Sequence, residues 1–113
     1  MPQRLYDAAE RGDAAAVADF LREGDDANEA ANDWAPLHVA CFEGHFDGVK
    51  ALLDGGADVG QAKNDGATPL LMACENGHDD VARLLIEKDA DVGQATNNGA
   101  TPLYAACQNG HDD

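Results

Sequence analysis

Apolar residues recur in short blocks, separated by polar stretches that contain glycine. Residues 66–92 show the pattern most fully. Leu70, Ala73 and Cys74 fall on one stripe at helical spacing, and after Gly77 a second stripe follows in Val81, Leu84 and Leu85. Thr68 is predicted to cap the first of these helices, its hydroxyl accepting from an unpaired backbone N–H of the first turn. Pro69 follows at the first helical position, where a missing N–H costs nothing. Gly77 is expected to end that helix. Asp79 and Asp80 then meet the positive end of the second helix dipole, and Lys88 lies at its far end. Residues 92–99, rich in Gly, Asn and Gln, read as a connecting loop. One unit is therefore helix, turn, helix and a long hairpin-like loop.

The unit repeats. Pro36, Pro69 and Pro102 are spaced 33 residues apart, as are Cys41, Cys74 and Cys107, Gly44, Gly77 and Gly110, and His45, His78 and His111. "ATPLLMACENGHDD" from Ala67 returns as "ATPLYAACQNGHDD" from Ala100, and "ADVGQAKNDG" from Ala57 returns as "ADVGQATNNG" from Ala90. A fixed period of this size marks a stacked array, in which each unit buries its apolar face against the next. Residues 1–113 are read as a single domain with units of about 1–32, 33–65 and 66–98 and a half unit 99–113. The first unit keeps Ala8, Gly12, Val17, Phe20, Leu21 and Gly24 in register but lacks the T-P-L start. It reads as an N-terminal cap, with Arg4, Glu10, Arg11, Asp19 and Arg22 as polar positions. The fourth unit has its first helix only, so the expectation is either a piece of a longer array or an edge covered by something else, the former favoured. If that edge paired with a second copy, Leu103, Ala106 and Cys107 would be buried there; otherwise the chain is expected to be a monomer.

A unit of T-P-L-x-x-A-C-x-x-G-H, an apolar helix and then A-D-V resembles the ankyrin repeat. The family's T-P-L-H-x-A motif stands as A-P-L-H-V-A from Ala35, T-P-L-L-M-A from Thr68 and T-P-L-Y-A-A from Thr101. Ala35 in place of Thr, and Leu71 and Tyr104 in place of His, depart from it and imply local changes in hydrogen bonding. The resemblance covers nearly the whole chain. It implies an all-α solenoid of stacked helix–turn–helix units. It implies a small buried cysteine position, a glycine-flanked histidine that bridges neighbouring repeats through backbone hydrogen bonds, and a structural role for His38 near its helix start.

Charge narrows the function. The 113 residues carry 22 acids against 7 bases, a formal net charge of −15. Phosphate backbones and anionic membrane surfaces select for basic proteins, so nucleic acid and membrane partners are disfavoured; a basic protein partner fits the charge, and solubility alone is the competing account of it. No apolar run approaches the roughly 18 residues of a membrane span, and the N-terminus lacks the apolar stretch of a signal peptide. The odd count of three cysteines reads as reduced thiols in a cytosol-like compartment, cytoplasmic or nuclear.

Candidate chemistry is sparse. Each cysteine precedes a histidine by four residues, a spacing that on a continuous helix would suit zinc. A glycine separates each pair, and successive repeats stack about 10 Å apart, too far to converge four ligands or to bridge cysteines. The chain has no serine, no phosphate-binding glycine loop and no EF-hand. Asp25-Asp26 and Asp79-Asp80 are expected to cap helices and face solvent rather than act as an acid/base pair. No catalytic residue, metal or cofactor is expected.

What remains is surface. The resemblance places an extended concave face on the hairpin tips and first helices. Its tip positions are Asn32, Asp33 and Trp34, then Lys63, Asn64, Asp65 and Ala67, then Thr96, Asn97, Asn98 and Ala100. Its outward first-helix positions are Phe42 and Glu43, Glu75 and Asn76, and Gln108 and Asn109. Trp34 replaces the alanine of later units, and Phe42 stands where they have Glu75 and Gln108. An aromatic among polar positions is a candidate binding anchor, and packing over the capping unit is the competing account of Trp34. Three functions fit: a protein-binding adaptor, a targeting part of a longer protein whose effector or enzymatic activity lies beyond residue 113, and a structural spacer.

Overall fold

The computed structural model describes residues 3–91 together with residues 93, 96, 97 and 99. Six helices occupy them: α1 (Gln3–Arg11), α2 (Ala14–Arg22), α3 (Pro36–Glu43), α4 (Phe46–Asp54), α5 (Pro69–Glu75) and α6 (Asp79–Glu87). They form three pairs. The first helices stack as α1–α3–α5 and the second helices as α2–α4–α6. Leu5, Leu37 and Leu70 carry the core along the first row, and Val17, Val49, Leu52, Val81 and Leu85 along the second, each essentially without solvent contact. Each such burial contributes roughly 2 kcal/mol of transfer free energy. The positions Leu103, Ala106 and Cys107 lie outside the described residues.

The two complete helix starts solve the same problem by opposite halves of a capping box. Thr68 Oγ1 accepts from Leu71 N at 3.2 Å. Ala35 has no side-chain acceptor, and there the bond runs backward: Ala35 N donates to His38 Nδ1 at 3.0 Å. His38 Nε2 then donates to the Gln61 carbonyl at 2.9 Å, tying α3 to the next loop. The departures Ala35 and Leu71 are thus matched to their partners, His38 and Thr68.

A glycine and a capping residue join each pair, with Asn76 added ahead of Gly77 in the third. Gly12, Gly44 and Gly77 all take left-handed φ, at 77°, 77° and 72°. The next residue starts the second helix and reaches back to the preceding pair. His45 Nε2 donates to the Glu10 carbonyl at 2.9 Å and His78 Nε2 to the Phe42 carbonyl at 3.0 Å. The rings pass so close over the preceding glycines that a Cβ on Gly12 would lie 2.6 Å from His45 Nδ1, and one on Gly44 2.5 Å from His78 Nδ1. Asp13 holds this place in the first pair and caps α2 directly, accepting from Ala16 N at 3.0 Å.

The loops are stitched too. Asn28 Oδ1 accepts from Asp58 N at 2.7 Å, and the Asn28 carbonyl accepts from Gln61 Nε2 at 3.0 Å. Asp25 and Asp26 do not cap helices as expected. Asp25 receives two bonds from Arg4, at 2.8 and 2.7 Å, which hold its carboxyl below the usual range, and Asp26 Oδ1 accepts from Asn28 N at 2.9 Å. Both fall in the loop after α2, where the nearest unpaired donors belong to the turn and to Arg4. The sole β-pairing among the described residues is the bridge between Ala31 and Trp34.

Two aspartates stand in left-handed backbone where other units have glycine. Asp33 (φ 76°) matches Gly66 (89°), and Asp89 (φ 73°) matches Gly56 (100°). Asp89→Gly is expected to raise the urea unfolding free energy by about 0.5–1 kcal/mol. Gly44→Ala is expected to lower it by about 2 kcal/mol or more, combining left-handed strain with the clash against His78. Equilibrium urea unfolding followed by circular dichroism checks both, and equal midpoints for Gly44→Ala and the parent chain would contradict the close-approach account.

Candidate functional site

The first-helix row and its hairpin tips hold a groove of about 320 Å³, lined by Trp34, Phe42, Lys63, Asp65, Ala67, Leu71, Met72, Glu75 and Thr96. Its walls come from two units. Trp34 leads into α3, its N–H and carbonyl both bonded to Ala31 across the turn. Phe42 lies eight residues on, in the last turn of the same helix. Their rings meet edge to face, centroids 5.5 Å apart and planes at 86°, a preferred geometry for aromatic pairs. Phe42 remains 41% exposed. Leu71 and Met72 of α5 form a buried floor. Lys63 comes from the following hairpin, its Nζ 4.6 Å above the Trp34 ring centroid.

Trp34 is half-buried and packs against the core, and its ring meets His38, Phe42 and Lys63. Glu43 and Glu75 are exposed beside Phe42 and at the groove mouth. Asn76 is exposed, but its side-chain amide donates to the Met72 carbonyl at 2.9 Å. The tips are largely engaged with one another. Asp33 accepts from Asn64 N at 2.9 and 3.1 Å, Asn97 N donates to the Asp65 carbonyl at 2.7 Å, and Asn97 Nδ2 to the Asn64 carbonyl at 3.1 Å. Asn32 takes left-handed φ at the tip and is exposed. Thr96 lines the groove, while Gln108, Asn109, Asn98 and Ala100 lie outside the described residues.

The sequence reading omitted Met72 and Tyr6. Met72 precedes Glu75 by three residues and so shares its helix face, a signal that was legible. Tyr6 sits half-buried on α1, its hydroxyl pKa raised by burial and then by Glu10, Asp7 and Glu43. That set places it among the acids of α1 and α3. A second hollow of about 420 Å³ lies between α2 and α4, lined by Ala18, Leu21, Arg22, Ala51, Asp54 and Gly55, without an aromatic wall.

The thiols and imidazoles belong to the architecture. Burial pushes the Cys41 thiol up; Cys74 is raised by burial and then by Asp79 and Glu75, so both disfavour the reactive thiolate. Among the described residues no three His, Cys, Asp or Glu side chains gather in a way that would hold a metal ion.

Stacked helix pairs joined by hairpins, with an aromatic groove on the first-helix side, define a helical repeat protein. A family model described as ankyrin repeats, three copies, matches residues 5–96 and again residues 55–113, and the chain belongs to the ankyrin-repeat family. Its repeats are generally protein–protein interaction modules, and the family is typically non-catalytic. No helix among the described residues is long and apolar enough to cross a membrane.

His38 connects groove and fold, and its protonation follows from its bonds. Nδ1 accepts and Nε2 donates, so the neutral ring with a proton on Nε2 satisfies both partners. Burial first of all holds its pKa below the ordinary 6.5, against smaller raising contributions from the hydrogen bonds and Asp33. The unfolded chain therefore takes up this proton first as pH falls. The stability tied to neutral His38 is fully present above about pH 6.5 and declines below it, by at most about 1.4 kcal/mol per pH unit, levelling off once the folded ring titrates. Urea midpoints between pH 7.5 and 5.5 are expected to fall in the parent chain and to fall less in His38→Gln, whose amide can accept and donate without titrating. An unchanged pH slope in His38→Gln would remove the assignment.

Proposed function

We propose that this chain is a protein-recognition module that binds its partner on the concave side, through the first helices and hairpin tips, and performs no catalysis of its own. The single observation carrying the reading is Phe42, a large apolar ring 41% exposed in the groove on that side. It is packed against Trp34 and bordered by the exposed carboxylates Glu43, Glu75 and Asp65. A central aromatic ringed by polar groups is the usual plan of a binding hot spot. The net charge of −15 favours a basic partner. The 33-residue units, with an N-terminal capping unit, supply the frame, and the reduced thiols fit a cytoplasmic or nuclear setting.

The test is quantitative affinity capture of one purified partner by the parent chain, by Phe42→Ala and Trp34→Ala, and by Lys50→Ala on the outer helix α4. Each aromatic truncation is expected to weaken binding by about 2 kcal/mol, roughly thirtyfold, while Lys50→Ala leaves it unchanged. Equal capture by all four proteins, with circular dichroism showing the fold intact, would refute the concave-face assignment.

A further inference from the structure

We infer that the Trp34–Phe42 groove is a subsite for one cationic side chain of the partner, arginine above all, and that the chain's own Lys63 fills this subsite until the partner displaces it. The inference rests on the concave-face reading and adds the chemistry of the contact.

The groove already holds a cation. Lys63 Nζ lies 4.6 Å from the Trp34 ring centroid, within the range of a cation–π contact, and 3.9 Å from Asp65 Oδ2. Its side chain is only 14% exposed, while that of Asp65 beside it is 62% exposed. Among the described residues Lys63 is the one cation lining the groove, against two carboxylates, Asp65 at the rim and Glu75 at the mouth. The indole face, the perpendicular Phe42 ring and the two acids thus make a place that stabilises positive charge.

The occupant is exchangeable by its chemistry. Lysine is a strongly hydrated point charge on a flexible stem, and its contact with Asp65 is long. Guanidinium is planar, less hydrated, and stacks on aromatic faces while bonding carboxylates in pairs. An incoming arginine can take both the ring and the acids, and Lys63 returns to water. A groove built for an acidic side chain would instead use Lys63 as its attractive contact. The two cases give opposite signs when the ammonium is removed.

Trp34 is the only tryptophan, so its emission reports the subsite directly. The probes are three synthetic nine-residue peptides of glycine, serine and leucine, carrying at the centre arginine, its neutral isostere citrulline, or glutamate. The proteins are the parent chain, Lys63→Met and Lys63→Gln, each checked for fold by circular dichroism. The arginine peptide is expected to shift Trp34 emission saturably and to bind at least about tenfold more tightly than the citrulline peptide. Both Lys63 variants are expected to bind the arginine peptide about three- to tenfold more tightly than the parent chain does. Weaker arginine binding in the Lys63 variants, tighter glutamate binding, or equal citrulline binding would each overturn the inference. So would the absence of any emission change in all three proteins. The concave-face reading would survive those results if Phe42→Ala still lost its captured partner, and would fail if Phe42→Ala kept it.

Discussion

The array depends on an imidazole ring passing over a glycine. Each second helix after the first pair begins at a histidine whose ring lies across the left-handed glycine of the preceding pair. The bond it makes there goes to a carbonyl in the last turn of the preceding first helix, a group that helix geometry leaves unpaired. One contact therefore ends a helix, starts another and sets the separation of two units. A Cβ at the glycine would push the ring outward and open the stack. The groove inherits this constraint, because the carbonyl that His78 engages is that of Phe42 itself. The anchor's backbone is fixed by the stitch while its ring stays open to solvent.

Trp34 is held with similar economy of motion. Its own N–H and carbonyl are closed on Ala31, the next N–H is bonded to His38, and the neighbouring Asp33 carboxylate is bonded to the tip of the following unit. The indole thus projects from backbone constrained on both sides. A side chain presented this way loses little freedom when it meets a partner, and that loss is a main cost of binding. Asp33, Asn64 and Asn97 chiefly hold the hairpins together, while Phe42 and the carboxylates of Glu43 and Glu75 stay exposed.

The fold was legible because its cause is periodic. Spacing of proline, glycine and histidine by 33 residues marks helix starts, ends and bridges, and each mark is a local backbone requirement that a residue type reveals. Thr68, Gly77 and the stripe of Val81, Leu84 and Leu85 act as their positions imply. The aromatic pair was visible as a break in that period. Its surroundings were not. Lys63 reaches Trp34 from 29 residues downstream, and no sequence pattern couples a hairpin lysine to an indole at the preceding hairpin tip. The engagement of Asp33 with Asn64 was hidden for the same reason: tip-to-tip contacts depend on stacking distance. Asp25 was misread because adjacent acids resemble a cap, whereas the loop turns Asp25 toward Arg4.

In the proposed recognition the charge and the groove act on different steps. A net charge of −15 on 113 residues opposes compaction through self-repulsion, and the dry leucine and valine rows counter it. Such a field speeds encounter with a basic partner and weakens with salt, yet it adds little to how long the complex lasts. Residence is set by desolvated contacts, and in the proposed reading those form in the groove that Phe42, Trp34 and Met72 line. Lys63 sits at the junction of the two effects. It lowers the local negative potential and covers the indole, so an unspecific cation drawn in by the field meets a filled site. On the proposed reading only a side chain that binds the rings and carboxylates better than a flexible ammonium would displace it, so the local occupant would supply selectivity that a diffuse acidic surface lacks.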